Sequence, residues 1–426
     1  MKRVVILCVW LFSVVAGHAQ LSLDECRRLA RENYPEIRQY DLVHQTEQYN
    51  LSNAARAWIP QLAFSAQATW QTDAPNFPKE LTGMLAQQGL EIPGLRKDQY
   101  KVALELNQTI WDGGKSVADK RIARAEAAEQ KTMTDVDLYE LEGRVDDLYF
   151  GILLLDERIA QTNLTLNLLR SNLEKVRALQ RNGVAMQSDA DVLEAELLSV
   201  GQQLIQFESS CDSYRRMLGI FIGQKVGDRK LQRPSAVQPL SGESARPELA
   251  MFAAKIDRLM AQEKMVKSSS MPRLGFFAQG YYGYPGLDYM QSMMNSDWSW
   301  NAMLGVKLSW NFGAYYTQKN NLNKLRTSRQ QVEVQRDVFL FNMNLQAAQE
   351  NGDIARLRKA IADDDRIVAL RRSVREAAES KLRNGIIDTH DLLSKITDES
   401  TASMARSMRE IELLKAIYEY KHTINR

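Results

Sequence analysis

Between positions 298 and 312 the chain reads WSWNAMLGVKLSWNF, and every second residue is apolar: Trp298, Trp300, Ala302, Leu304, Val306, Leu308, Trp310 and Phe312. The residues between them, such as Ser299, Asn301, Lys307 and Ser309, are mostly small or polar. Strand side chains alternate between two faces, so the pattern predicts a strand over 298–312 with tryptophans at both ends of its apolar face. The same alternation runs through 61–71, where Leu62, Phe64, Ala66, Ala68 and Trp70 oppose Gln61, Ser65, Gln67, Thr69 and Gln71. In 100–111 it sets Tyr100, Val102, Leu104, Leu106 and Ile110 against Lys101, Glu105, Asn107 and Thr109. A strand over 274–284 is softer, with Phe277 and Tyr281 on its less apolar face.

Strands of about ten residues match the length that crosses a bilayer when tilted. An apolar outside, aromatic rims and a polar inside form the pattern of an outer-membrane barrel. That orientation puts Trp298, Leu304, Leu308, Trp310 and Leu62 toward lipid and Lys307, Glu105 and Gln67 toward a lumen. The smallest membrane barrels have about eight strands, and an open edge in lipid leaves backbone groups unpaired. Four strands cannot meet those terms alone, so the barrel is expected to be shared between chains.

A second period governs the rest of the chain. Leu138, Leu141, Val145, Leu148, Ile152, Leu155, Ile159, Thr162, Leu166, Leu169, Leu173 and Val176 follow one another in steps of three and four. That heptad seam predicts coiled-coil packing of a long helix over 115–181. Leu154, Leu164 and Leu168 make its opposite face partly apolar. No proline interrupts 115–180 or 315–383, and at about 1.5 Å per residue either span is on the order of 100 Å long. Pro60 and Pro272 end the helices that come before the strands. Asn182-Gly183 and Asn384-Gly385 end the long helices, because glycine adopts the left-handed conformation at no steric cost. Ser188 with Asp191, and Asp388 with Asp391, have capping-box-like spacing at the start of helices 188–218 and 388–420. Each long helix therefore folds back as a hairpin.

The chain also repeats itself. WIPQLAFSAQATW at 58–70 aligns with SMPRLGFFAQGYY at 270–282, and LELNQTIWDGGK at 104–115 with VKLSWNFGAYY at 306–316. LQRNGVAMQSD at 179–189 aligns with KLRNGIIDTHD at 381–391. These offsets divide the chain into a first repeat at 20–218, a connecting segment at 219–245 and a second repeat at 246–426. Each repeat reads helix, strand, loop, strand, long helix, turn, helix. The fold class is a mixed α/β membrane protein with two internal repeats.

Composition adds a compartment and removes some chemistries. MKRVVILCVWLFSVVAGHAQ opens with Lys2 and Arg3, continues with an apolar run and ends in small residues, the anatomy of a signal peptide over 1–19 with cleavage before Gln20. Cys8 lies inside that run, which leaves Cys26 and Cys211, far apart and expected to be buried free thiols. A net charge of +2 over 426 residues offers no basic stripe for nucleic acid. GGKS at 113–116 lacks the upstream glycine of a phosphate loop, since that position is Thr109. His44, His390 and His422 stand apart from any carboxylate or cysteine cluster at metal spacing. Asp363, Asp364 and Asp365 are expected on a solvated helix face. Neither an enzyme site nor a cofactor site is expected.

Taken together, LSLDECRRLARENYPEIRQ at 21–39, WIPQL at 58–62, IWDGGK at 110–115, NGVAMQSDADVLEAEL at 182–197 and LGIFIG at 218–223 resemble the TolC family of outer-membrane channel-tunnel efflux proteins. The order, spacing and duplication carry the likeness, over nearly all of the mature chain. The resemblance implies a homotrimer whose twelve strands form one outer-membrane barrel and whose twelve helices continue as a periplasmic tunnel. It implies a belt formed by 219–245 and the C-terminal tail, a periplasmic adaptor protein docked at the hairpin tips, and an inner-membrane pump. Tripartite efflux and type I secretion are both uses of such a duct. By the same resemblance, acidic residues after the second hairpin glycine ring the entrance. Asp391 matches the first of these positions, whereas Ser394 stands at the second. Asp189 and Asp191 are the corresponding candidates in the first repeat, with Arg181 and Arg383 the nearest basic residues. Asn182, Gly183, Asn384 and Gly385 would dock the adaptor, although family hairpins often begin Val-Gly. A periplasmic coiled-coil or adhesin-like protein without a channel is the alternative, and it leaves the strands unexplained.

Overall fold

The structure is a computed structural model that describes residues 20–89, 92–183, 185–235 and 244–425. The signal-peptide reading of 1–19, with Cys8, lies outside the described residues, as does part of the connecting segment. In chain order the elements are α1 (Leu23–Asn33), α2 (Gln39–Arg56), β1 (Gln61–Trp70), α3 (Lys79–Gln87), β2 (Asp98–Trp111), α4 (Lys115–Arg181) and α5 (Gln187–Ile222). There follow α6 (Pro247–Ser269), β3 (Arg273–Tyr284), α7 (Tyr289–Met294), β4 (Ser299–Ser309), α8 (Ala314–Arg383) and α9 (Thr389–Ile424). The run α2 to α5 recurs in kind as α6 to α9. No helix among the described residues is long and apolar enough to cross a membrane.

The chain forms two compact units. One holds Asp41–Lys131 and Met251–Val334 and contains the whole sheet. Its four strands are antiparallel in the order β1-β2-β3-β4. Leu62 pairs with Leu106, Leu106 with Ala278, and Ala278 with Leu304, which places an apolar row across one face. The adjacent row on the other face is Ala63, Glu105, Gln279 and Met303. The softness of β3 has a packing cause. Phe277 lies on the polar face opposite Gly305, where an added Cβ would come within 2.9 Å of the Phe277 ring. β4 is shorter than the alternation, so Trp298, Trp310 and Phe312 flank the strand. The indole N–H of Trp310 donates to the Ser270 carbonyl at 3.0 Å and its ring packs on Phe312.

The GGKS stretch caps a helix in this unit. Asp112 accepts from the amides of Gly114 at 2.9 Å and Ser116 at 2.7 Å, so a carboxylate occupies the amides that a phosphate loop would leave open.

The other unit holds the described parts of Met1–Tyr40, Thr132–Ala250 and Gln335–Arg426. Leu138, Leu141, Val145, Leu148 and Ile152 are buried in one apolar core together with Leu23, Cys26, Cys211 and Ile411. Leu166, Leu169, Leu173 and Val176 belong to a second core with Leu193, Leu392 and Ile396. The seam is thus the packed face of α4, with Leu155 and Ile159 partly buried and Leu164 exposed on the opposite side. Cys26 and Cys211 are free and buried. Leu21 bridges to Leu231, and the Tyr149 hydroxyl lies 2.8 and 2.6 Å from the carbonyls of Leu21 and Gln232, tying the chain before α1 to the segment after α5.

Three expectations need correction here. Asp363–Asp365 is not a solvated triplet: Asp364 is buried and paired with Arg409, while Asp365 receives Arg406 Nε at 2.7 Å. Ser188 does not cap its helix. α5 starts one residue earlier behind Met186, and Asp189 takes the Met186 amide at 2.8 Å. The connecting segment begins later than 219, since α5 runs to Ile222 and ends at Gly223 with φ of 69°.

Candidate channel wall and entrance

The strand register builds a candidate wall one row at a time. On one face stand Leu62, Phe64, Ala66, Ala68 and Trp70 from β1, and Tyr100, Val102, Leu104 and Leu106 from β2. Leu274, Phe276, Ala278 and Tyr282 from β3 continue the face, with Trp300, Ala302, Leu304, Val306 and Leu308 from β4. These side chains have no covering layer: Leu62 is 64 % exposed, Phe64 72 %, Trp300 82 % and Leu304 75 %. An apolar face this open within a single chain requires a partner or an apolar solvent. At one end it carries an aromatic cluster, in which Trp298 stacks on Tyr100 at 5.8 Å and packs against Tyr282 at 5.4 Å. Rings with a polar edge suit the level where lipid meets water.

The opposite face is polar and hydrogen-bonded across the strands. Gln279 donates to Glu105, and the Lys101 ammonium donates to Gln279 Oε1 at 3.1 Å. The same ammonium lies 4.6 Å from the centre of the Tyr281 ring. Gln67 pairs with Lys101 on this face, and Lys307 stands opposite Gly275, which has no side chain to cover it. All residues assigned to lipid or to lumen from sequence therefore sort to their own face, except Trp298 and Trp310, which flank β4.

The candidate entrance lies at the two hairpins of the other unit. Arg181 and Arg383 are the last residues of α4 and α8. Gly183 and Gly385 have φ of 74° and 67°, the left-handed region open to glycine. At the second hairpin Gly385 N–H donates to Leu382 O at 3.0 Å and Ile386 N–H to Lys381 O at 2.9 Å, a Schellman closure of α8. The Asn384 side-chain amide adds a bond to Ser380 O at 2.9 Å. Gln180 and Gln187 bridge the first hairpin at 2.5 Å.

The acidic residues of the entrance have different occupations. Asp189 is committed to the Met186 amide, and Asp191 accepts from Gln187 Nε2 at 2.7 Å. Asp388 caps α9 by accepting from the Asp391 amide at 2.8 Å. The Asp391 carboxylate itself is exposed and has no ion pair among the described residues, and neither Arg181 nor Arg383 reaches an aspartate of its own chain. Asp391 is thus the carboxylate most available to solvent and to other chains. Replacing Asp388 by Ala should cost about 0.5–2 kcal/mol through loss of the cap. Hydrogen exchange should then quicken at the amides of residues 389–392, and no change there would remove Asp388 from this role.

Sequence reasoning missed some of the residues that hold these hairpins. Arg375 joins Glu379 at 2.5 Å and also Glu399, while Arg372 reaches Glu399 at 3.2 Å. Lys175 crosses from α4 to Glu379 at 3.3 Å. Only the arginine-rich composition of α8 hinted at them.

An exposed apolar sheet face backed by a polar face, and long helices closed by left-handed glycines, define a channel-tunnel subunit. Solved structures with this fold include the outer-membrane channel OprN, with a TM-score of 0.70 at 14 % identity over 94 % of this chain and 89 % of that one. The outer membrane protein VceC from Vibrio cholerae gives 0.68 at 14 % identity over 94 % and 95 %. The open state of the Neisseria gonorrhoeae MtrE outer membrane channel gives 0.65 at 14 % identity over 94 % and 88 %. No curated protein sequence matches significantly. Residues 27–223 match the family model described as Outer membrane efflux protein. That match and the shared fold support an outer-membrane efflux channel, placed in the outer membrane and extending into the periplasm.

Proposed function

We propose that three copies of this chain close one twelve-stranded barrel and form a passive duct from periplasm to exterior. The observation that carries this reading is the open sheet. β1 and β4 are unpaired edges among the described residues, and the apolar face between them lacks cover. Lipid accepts the face but not the edges, so β4 of one copy pairs with β1 of the next. Leu62, Leu304, Leu308, Trp298 and Trp310 then meet lipid or its rim, while Gln67, Glu105 and Lys307 line the lumen. The two halves, 20–222 and 246–426, act as repeats joined by a belt segment that begins after Gly223.

In this reading the duct belongs to a tripartite efflux or type I secretion system. A periplasmic adaptor docks at Asn182-Gly183 and Asn384-Gly385, and an inner-membrane pump supplies the energy. A periplasmic coiled-coil protein without a channel would have no use for the uncovered apolar face. The test is extraction and reconstitution: the protein should require detergent, run as a trimer and give stepwise conductance in planar bilayers. A monomer soluble without detergent would sink the proposal.

The entrance gives a narrower prediction. Three copies of Asp391 at a narrow mouth concentrate negative potential, which attracts multivalent cations and lets them plug the opening. Asp391→Ala should weaken periplasmic-side block by a multivalent cation roughly tenfold or more. Unchanged block would leave Asp391 a surface residue of the first turn of α9 and pass the role to Asp189 or Asp191.

A further inference from the structure

The charges on the four strands do not divide evenly between the two faces of the sheet. The apolar face carries one, Asp98, at the first residue of β2 and bonded to Arg96 at 3.1 Å. The polar face carries Lys101, Glu105, Arg273 and Lys307, three positive charges and one negative. Glu105 and Lys101 share Gln279 and form a compensated group in the middle of the sheet. Arg273 and Lys307 lie toward the end of the sheet where the chain passes between strands and helices; Lys307 shares a cavity with Glu105 and Gln279 but makes no ion pair with Glu105.

Arg273 pairs with Ser309, and Lys307 stands two residues before Ser309 on the same face. The two cations are diagonal neighbours on adjacent strands, roughly 7 Å apart at Cβ. Both are exposed, and neither has a carboxylate partner among the described residues. Like charges on neighbouring strands oppose strand pairing. Their nearest strand neighbours on this face, Gly275, Thr109 and Ser309, provide no compensating charge. Such a pair weakens the sheet, and its effect falls on whatever occupies the space in front of it.

We infer that Arg273 and Lys307 form a positive collar at the inner end of the barrel lumen and favour passage of small organic anions bearing carboxylate, sulfate or phosphate groups. The inference rests on the proposed lumen orientation. With three copies, six cations face one narrow water-filled space with low-dielectric walls, which focuses their field. The collar opposes the acidic mouth at Asp391 in sign, so the two sites separate in experiment. Its range is a Debye length, about 10 Å at 0.1 M salt and about 3 Å at 1 M, so its selectivity fades as salt rises.

Reversal potentials of the full-length trimer in planar bilayers under a potassium chloride gradient test the collar. Arg273→Gln combined with Lys307→Gln should lower the anion-to-cation permeability ratio about twofold or more near 0.1 M salt, and the difference should shrink at 1 M. An unchanged ratio at 0.1 M overturns the collar. Lys307→Cys with a negatively charged thiosulfonate reports the orientation separately, because the native Cys26 and Cys211 are buried. Modification that alters single-channel current places position 307 in the lumen. Modification with an unchanged ratio in the double variant rejects the collar and keeps the lumen reading. A conducting channel that resists modification rejects both.

Discussion

Leu304→Arg should abolish or sharply reduce trimer in the outer membrane, whereas Lys307→Gln, three residues along the same strand, should leave assembly intact. Leu304 sits at the end of the apolar row Leu62-Leu106-Ala278-Leu304 and is 75 % exposed in the single chain. An arginine on the lipid face of a barrel costs about 2–4 kcal/mol near the midplane, and a trimer incurs that cost three times. The sum is comparable to the whole stability of an ordinary domain, about 5–15 kcal/mol. Lys307 lies on the opposite face, where glutamine keeps polarity and reach. Heat-resistant trimer on semi-native gels, together with outer-membrane yield, measures the contrast. Equal tolerance at the two sites would mean that the faces are reversed or that the sheet does not meet lipid.

That contrast rests on what the sequence makes legible. A period of two over ten residues fixes which side chains share a face, because slipping the register by one would exchange the faces entirely. A period of three and four over 138–176 marks the packed side of α4 for the same reason. Both patterns are local, and the structure carries both. Long-range pairing leaves no such mark. Arg409 meets Asp364 across 45 residues of sequence, so an aspartate triplet that looks solvated holds one buried carboxylate. The cap of α5 misled at shorter range. Ser188 and Asp189 are both capping residues by type, and only the backbone path past Met186 decides that Asp189 accepts the bond. The helices α3 and α7 in the strand-connecting loops were not legible either, since nine and six residues are too few to show a helical period.

Arg27→Ala should strongly destabilise the helical unit. Arg27 Nε donates to Asp146 Oδ1 at 2.7 Å, a second guanidinium nitrogen reaches the other carboxylate oxygen, and the two residues are 119 positions apart. The pair joins α1 to α4, and its side chains are only 23 % and 10 % exposed. Removing the arginine leaves a buried carboxylate without a counter-ion, which costs about 3–5 kcal/mol. Arg27 also lies 5.8 Å from the centre of the Tyr418 ring, so α9 loses a contact as well. Burial raises the pKa of Asp146 above its ordinary value even with Arg27 beside it. A carboxyl group raised in the folded state favours folding when protonated and loses that contribution as pH rises through the folded value. Without Arg27 the shift grows, so the deficit of Arg27→Ala should be largest at neutral pH and shrink on acidification toward the raised pKa. Combining Arg27→Met with Asp146→Leu removes both charges and should recover most of the lost stability, since a buried pair often does no better than apolar residues of similar volume. Thermal unfolding of the detergent-solubilised protein across pH provides the measurement. A deficit that stays constant as pH falls, or a double variant as unstable as Arg27→Ala, would show that the loss comes from packing around α1 and not from a stranded charge.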